Sequence, residues 1–401
     1  MRLASVVPPR RRMRMADPWL SIIGLGEDGP AGLSDASRTA LEAAEVVVGG
    51  PRHLALVEAG ARGMEWPVPF DPAPVLALRG RPLAVLASGD PFWHGAGGSL
   101  AAALSPGEWR AYPAPGVVAL AAARLGWRQE ELLAMGLHAA PFERLLPELA
   151  PGRRGVCTLR DGPAAGALAA FLAAEGWGDS RLWVMEALGG PRERVRATTA
   201  GAFALADVAA PVTVAFEAEG GRALPRSAGL PDSLFAHDGQ ITKAPIRALT
   251  LAALAPRRGE ILWDLGAGSG SVSVEWCLAG GRAVAVELRP ERAANIRANA
   301  ARFALPLEVV EGRALDNLRA LPAPDAIFVG GGFDEALFAA LPPTARLVVN
   351  AVTLETEALL AALQARHGGD LLRIELARAA PLGRMRGWEA ARPVVQWSLV
   401  R

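Results

Sequence analysis

The chain reads as an α/β protein built from two successive domains, and three observations carry that reading. Its 401 residues exceed what one ordinary core holds. Short apolar runs of strand length alternate with helix-length segments, the order of a mostly parallel sheet covered by helices. Glycine-rich strand ends occur twice, in IIGLGEDGP at 22–30 and in WDLGAGSGSVSVEW at 263–276. Composition narrows the class further. A hydrophobic content of 51% with 21% charge is globular, and 42 basic against 41 acidic residues leave none of the basic excess that a dedicated nucleic-acid binder carries. No apolar run reaches the roughly 18 residues of a membrane span. Cys157 and Cys277 stand far apart with no CxxC, which points to a reducing, cytoplasmic setting, to small core residues, and to no zinc or other metal site.

The elements follow in order. Residues 1–16, MRLASVVPPRRRMRMA, are basic, without acid or apolar period, and are read as a tail or an upstream start, outside the fold. A domain is expected over 17–220. It opens with the strand WLSIIGLG and continues into a helix from Ser34, a plausible N-cap, to Glu45. EVVVGG and RPLAVLASGDP supply further strands, and GVCTL, LWVME and PVTVAF are expected as later ones with helices between. Residues 221–235 hold glycine, proline and serine without period, the composition of a linker. A doubly wound domain is expected over 236–401, opening with a helix near Thr242, a plausible N-cap, and the strand EILWDLG. AVAVEL, LEVVEG, DAIFVGG and RLVVNAV then alternate with helices. A closing pair around PLGRMRGWEA looks like a hairpin with a long loop, hence an antiparallel edge.

At 264–270 the spacing is D-x-G-x-G-x-G: Asp264, then Gly266, Gly268 and Gly270, with Ser271 where the dinucleotide fingerprint GxGxxG would have its third glycine. That pattern resembles the first motif of the Rossmann-like S-adenosylmethionine methyltransferases and makes NAD, hence an oxidoreductase, the weaker alternative. The next strand ends in Glu287, 21 residues after Gly266, where an acid accepting from ribose hydroxyls is expected. Glu311, Gly312 and Arg313 close the third strand and would lie near an adenine by analogy. The fourth strand ends FVGGGF rather than in the N-P-P-Y type of segment found in enzymes that methylate nucleic-acid or protein amines. Gly330 and Gly331 there leave open space for a large, flat substrate.

HDGQITKAPIRALTLAALAPRRGEILWDLGAGSGSVSVEW, with PDAIFVGGG, is very similar to the precorrin methyltransferases that methylate carbon 15 and decarboxylate (the CbiT type). GLGEDG, VVVGGPRHL, VLASGDPFWHGAG, ARLGW and EALGGPRERV resemble the companion carbon-5 family (the CbiE type), a branch of the tetrapyrrole methylases. Joined in one chain, the pair resembles the bifunctional C5,15-methyltransferases of cobalamin biosynthesis, over nearly everything except the tail. The resemblance implies an N-terminal two-lobed tetrapyrrole methylase fold followed by a C-terminal Rossmann-like class I methyltransferase domain. It also implies two S-adenosylmethionine sites, a precorrin substrate, no nucleic-acid or membrane partner, and a homo-oligomer.

By the same resemblance Gly24, Gly26, Gly89 and Asp90 hold the first cofactor, and Gln240 and Thr242 touch the second. His94 and Asp90 are the catalytic candidates, although a lone histidine in a glycine-rich loop is more often structural. A polycarboxylate substrate makes Arg384 and Arg386 the first candidates for its binding, with Lys243 and Arg247 next; for each the plainer role is a solvated charge. Two departures stand out. The family's P-x-(I/V)-S-S segment has Gly116 and Val117 in place of the serines, and its S-L-H-G-R segment reads GLHAAP, keeping only His138. A scaffold that merely docks partners would bind no S-adenosylmethionine at all.

Overall fold

The computed structural model describes residues 18–343 and 345–400. The chain divides into two units. The first comprises residues up to 140 together with 150–222, and the second 141–149 together with 223 onward. The tail expected over 1–16 lies outside the described residues.

The first unit holds two sheets. One is built from β1 (Leu20–Leu25), β2 (Val46–Gly49), β3 (Gly63–Glu65), β4 (Leu83–Ser88) and β5 (Trp109–Tyr112), in the order β3-β2-β4-β1-β5 with every pair parallel. A parallel sheet is covered on both faces, so its central strands must be apolar throughout. Accordingly Ile23 and Leu86 pack into one layer and Ile22 and Val85 into the other. Ser34 caps its helix as expected, its Oγ accepting from Ser37 N–H at 3.2 Å, and the helix runs Asp35–Glu42, short of Glu45.

The second sheet comprises β6 (Leu133–Gly136), β7 (Arg154–Leu159), β8 (Arg181–Glu186), β9 (Arg194–Thr199) and β10 (Val212–Glu217), ordered β6-β7-β10-β8-β9. Here the expectation of a mostly parallel sheet fails. Only β6 and β7 pair in parallel: β9 folds straight back on β8, and the chain then passes β8 without a helix so that β10 inserts between β7 and β8, antiparallel to both. RVRATT was not legible as a strand. It is an edge strand held by charge, with Arg194 donating two bonds of 2.6 Å to the buried Glu186.

The second unit is a seven-stranded sheet with a separate ribbon. Its strands are β11 (Ile261–Leu265), β12 (Arg282–Glu287), β13 (Leu307–Glu311), β14 (Ala326–Val329), β15 (Arg346–Ala351), β16 (Asp370–Ile374), β17 (Ala377–Leu382), β18 (Met385–Ala390) and β19 (Val394–Leu399). The sheet order is β13-β12-β11-β14-β15-β19-β16, parallel except for β19 against its two neighbours. From β11 the chain winds outward through β12 and β13, then returns to the other side for β14 and β15. The order therefore reverses between β11 and β14, where such sheets open a crevice at their carboxyl ends. Trp276 and Trp397, both fully buried, anchor the two apolar layers. As expected, β16 and β19 pair antiparallel at the sheet edge across a long connection, and that connection is itself folded into the β17–β18 ribbon with a two-residue turn at Gly383 (φ +60°) and Arg384.

Two further boundaries differ from expectation. The helix Ala244–Leu254 has Lys243, not Thr242, at its N-cap. Within 221–235, Leu230 and Phe235 are buried, and the Gly229 and Leu230 N–H groups donate to Glu275 at 2.7 and 2.9 Å. Among the described residues, no helix is long and apolar enough to cross a membrane and no group of side chains could hold a metal ion. Both cysteines are buried and free, and burial pushes each thiol up to about 12.

Candidate functional site

In the second unit the turn Gly266–Gly270 sits at the sheet's reversal point. Gly266, Gly268 and Gly270 all take positive φ, +68°, +60° and +69°, a region that side chains rarely adopt. They differ in what surrounds them. A Cβ on Gly266 would stand 2.6 Å from the Gly331 carbonyl oxygen, and one on Gly270 2.7 Å from Ile296. One on Gly268 would meet only the Gln240 carbonyl, at 3.6 Å. Gly266 and Gly270 are thus required by the protein's own packing, and Gly268 is the glycine with room for a ligand.

The carboxylates divide in the same way. Glu287 is buried at the end of β12, its two oxygens accepting from Gly268 N–H at 2.8 Å and Arg289 N–H at 3.0 Å. Each oxygen keeps a lone pair for a further donor. Asp264, fully buried, accepts from Ser273 Oγ at 2.6 Å through one oxygen, while its Oδ1 has no partner. Burial foremost, and the Glu287 charge last, push its pKa up to about 7. Ser269 Oγ is likewise buried without a partner. Two orphaned polar atoms beside an open glycine are the marks of a site built for a polar ligand.

Around the turn, Gly312 (φ +137°) donates its N–H to the Glu287 carbonyl, and Arg313 is exposed at the next helix start. Gly330 to Gly332 are exposed at the end of β14, but the open space expected at Gly330 is absent, since a Cβ there would stand 3.0 Å from the Gly266 carbonyl oxygen; Gly331 and Gly332 leave an open floor. Gln240 is exposed with its carbonyl facing Gly268, Thr242 is half-buried, and Ser271 opens the helix Ser271–Leu278. Arg384 and Arg386 are exposed on the β17–β18 ribbon.

Arg247 does not fit the role expected for it at a site mouth. It is fully buried, donating to Glu275 at 2.5 Å, to Asp232 at 3.2 Å and to the Thr242 and Leu230 carbonyls, with its guanidinium 4.7 Å over the Phe235 ring. An arginine whose donors are so fully taken is a core clamp. Lys243 is exposed, 3.7 Å from Asp232.

In the first unit a cavity of about 570 Å³ opens at the carboxyl ends of β1 and β4, lined by residues of both sheets. Gly24 and Gly89 make it possible for the strands to converge there. A Cβ on Gly24 would overlap the Gly89 carbonyl oxygen and stand 2.6 Å from Ala114 N, and one on Gly89 would lie 2.7 Å from Gly116 Cα. Gly116, where the family has serine, therefore sits where backbone meets backbone, at the N-cap of the helix Val117–Leu125. Gly26 is crowded by the Asp28 carboxylate, one oxygen of which would lie 2.5 Å from a Cβ placed there. Asp90 lines the cavity and caps the next turn, its Oδ1 accepting from Phe92 N–H at 2.8 Å. His94 also lines it, at φ +51°, its ring edge-on to that of His138 with centroids 6.2 Å apart. A positive φ on a histidine costs of order 1–3 kcal/mol and tends to mark functional sites.

The polar heart of this cavity escaped sequence reasoning. Glu27, buried, pairs with Arg52, whose Nη2 donates to Ser88 Oγ at 2.8 Å and to His53 Nε2 at 2.9 Å. Burial first and the Arg52 charge second lower the His53 pKa to about 4, so the ring is neutral and accepts at Nε2. The signal was present. Each of these residues closely follows or closes a buried parallel strand, the edge at which such sheets bind ligands.

On this geometry the family models set the class: an α/β methylase of tetrapyrroles followed by a precorrin methyltransferase domain. Residues 20–204 match the family model of the Tetrapyrrole (Corrin/Porphyrin) Methylases, and residues 233–401 match that of the Precorrin methyltransferase domain. A precorrin-6Y C(5,15)-methyltransferase [decarboxylating] of Sinorhizobium sp. is 48% identical over 96% of this chain and 97% of its own length. One of Mycobacterium tuberculosis (strain ATCC 25618 / H37Rv) is 41% identical over 95% of this chain and 99% of its own. The crystal structure of the C-terminal domain of precorrin-6Y C5,15-methyltransferase from Rhodobacter capsulatus is 59% identical, covering 44% of this chain and all of that one, with a TM-score of 0.44. The chain belongs to the family of decarboxylating precorrin-6Y C(5,15)-methyltransferases and is a methyltransferase.

Proposed function

We propose that the chain methylates precorrin-6Y (6B) at carbons 5 and 15 and decarboxylates the ring C acetate, which loses its carboxylate as carbon dioxide and stays on the ring as a methyl group, giving precorrin-8 in cobalamin biosynthesis. The observation that carries the reading is 48% identity across both domains at once, over 96% of the chain, to a relative named for both methylations. The N-terminal domain, taken as 17–220, is assigned carbon 5, and the C-terminal domain, 236–401, carbon 15 and decarboxylation. The setting is cytoplasmic and the assembly oligomeric on this reading.

S-adenosylmethionine, when bound, supplies a methyl group on a sulfonium leaving group. The protein's task is then mainly alignment of a carbon nucleophile. In the C-terminal domain Gly268 gives the cofactor room, Glu287 offers lone pairs to two vicinal hydroxyls, and Gln240, Thr242, Gly312 and Arg313 line its edges. The orphaned Asp264 Oδ1 and Ser269 Oγ support a polar ligand at this turn. Gly331 leaves the floor on which a flat macrocycle would lie. In the N-terminal domain Gly89 and Asp90 face the cavity, with Gly24 and Gly26 shaping its rim. His94 is the candidate to take up the proton that the methylated carbon releases.

Anaerobic mass spectrometry of the intact chain with reduced precorrin-6 and labelled S-adenosylmethionine tests this. Two labelled methyls gained and one carbon dioxide lost are expected. Glu287→Ala should leave one methyl and no decarboxylation, and His94→Ala should slow the carbon-5 transfer alone. Cofactor binding without transfer of label to this substrate would retire the substrate assignment. Reversing the charges of Arg384 and Arg386 is expected to weaken substrate binding while sparing that of S-adenosylhomocysteine; unchanged substrate affinity would remove the ribbon from the site.

A further inference from the structure

One segment beside the glycine turn, which carries the cofactor candidates Gln240 and Thr242 and the substrate candidate Lys243, is fastened at three points. Residues 236–243 form neither helix nor strand, and 236–240 are exposed. At the start, Asn299 of the helix Pro290–Arg302, itself 2% exposed, accepts from Ala236 N–H at 2.7 Å and donates to the Ala236 carbonyl at 3.0 Å. Its Nδ2 also donates to the Ser269 carbonyl, inside the glycine turn, at 2.8 Å. In the middle, Asp238 accepts from Arg292 Nε at 2.8 Å and from Gln240 N–H at 3.0 Å. At the end, the Thr242 carbonyl accepts from the buried Arg247. Between these points the Gln240 carbonyl faces Gly268, the glycine with room for a ligand.

We propose that Asn299 is a positioning residue of the C-terminal cofactor site. Its amide holds the 236–243 segment and the glycine turn in register, so that the cofactor meets two pre-assembled walls. The chemistry of the side chain makes the case. One planar amide presents an acceptor and two N–H donors, and here all are used, on one N–H and two carbonyls belonging to two different segments. Aspartate offers no donor, leucine neither donor nor acceptor, and glutamine places the amide one methylene too far out. A residue needed only for core packing would not require that set. Without it the segment samples open positions, and the apparent affinity falls by the fraction of time the site is assembled. The inference rests on the C-terminal domain binding S-adenosylmethionine, as proposed above.

The test is a hydrogen-exchange titration of the intact chain with S-adenosylhomocysteine, read on peptides covering 236–243 and 264–271, with peptides around 24–30 and 88–95 reporting the first site as an internal control. In Asn299→Ala the ligand concentration for half-protection of 264–271 is expected to rise about tenfold, as for a site assembled roughly a tenth of the time. Exchange of 237–243 without ligand should quicken, and the first site should not change. For the carbon-15 transfer, KM for S-adenosylmethionine should rise by a similar factor with kcat little altered. Asn299→Asp, which keeps the acceptor and loses both donors, should move in the same direction. Asp238→Ala, an exposed change that leaves the core intact, should give a smaller shift of the same kind and decides the matter if Asn299→Ala does not fold. Parent affinity at the second site in a folded Asn299→Ala, or in Asp238→Ala where the former is unfolded, would overturn the inference. Absence of any ligand protection of 264–271 in the unsubstituted chain would instead bring down the cofactor assignment, and this inference with it.

Discussion

The two glycine-rich strand ends look alike in sequence and do different physical work. Gly24 and Gly26 do not take positive φ; Gly24 is a glycine because facing backbone leaves no room for a Cβ, whereas Gly26 meets only the movable carboxylate of the exposed Asp28. Gly268 is the reverse, with space beside it but a backbone at φ +60°. Gly24 is therefore limited by approach and Gly268 by conformation, while Gly266 and Gly270 meet both limits. The buried charge pairs differ in parallel. Arg247 and Glu275 have side chains 0% and 4% exposed and lock a core, whereas Arg52, paired with Glu27, is 36% exposed and opens on the first cavity. The same residue types thus serve packing in one place and line a cavity in the other.

Substitutions can break this comparison. The largest effect is expected for Arg247→Met, which strands Glu275 in the core and should cost about 3–5 kcal/mol in the second unit. Arg52→Met should cost less stability and chiefly impair the carbon-5 transfer; denaturant unfolding with product analysis compares them. Gly24→Ala comes next, at about 3 kcal/mol, the upper end of overpacking, because backbone atoms on the facing strand cannot step aside. Gly268→Ala should cost only about 1–2 kcal/mol, the penalty of a left-handed residue, and leave the fold intact by the same measurement. Equal losses at Gly24 and Gly268 would erase the distinction between approach and conformation.

The smallest effects are in pH dependence, and they have opposite signs. His53 has a folded pKa of about 4 against an ordinary 6.5, so its contribution is present above 6.5 and lost as pH falls through 4. Asp264, raised from 3.8 to about 7, contributes below 3.8 and loses that contribution as pH rises through 7. Relative to the parent, His53→Gln should therefore lose stability as pH climbs through the first window, and Asp264→Asn should gain it through the second. Denaturation midpoints measured against the parent at each pH would show slopes of opposite sign; slopes of one sign would mean that the two sites are not electrostatically distinct.

Much of this architecture was readable in advance, for reasons tied to particular residues. LSIIGL and AVAVEL announce themselves because a strand buried on both faces must be apolar throughout, and Ser34 because an N-cap needs a side-chain acceptor. Asp264, the three glycines and Glu287 stood out because their spacing is local. RVRATT was missed because its stability comes from Glu186 and pairing with β8, not from its own pattern. The antiparallel course of this sheet was missed because it depends on β9 folding straight back on β8 and on β10 inserting beside β7, which alternation alone does not reveal.

What the sequence by itself determined is the list of local devices: two domains in series, the strand ends, the turn that only glycines can make, and the acid that follows it. Tertiary structure decided which of those devices are locked into packing and which border open space. It turned Arg247 from a candidate for the site mouth into a core clamp, left Gly268 as the glycine with open space, and joined Glu27, Arg52, His53 and Ser88 into one network. Backbone conformation and strand burial are set within a few residues of chain and leave their mark on composition. Partnership between side chains tens of residues apart is set only when the sheet brings its carboxyl edges together.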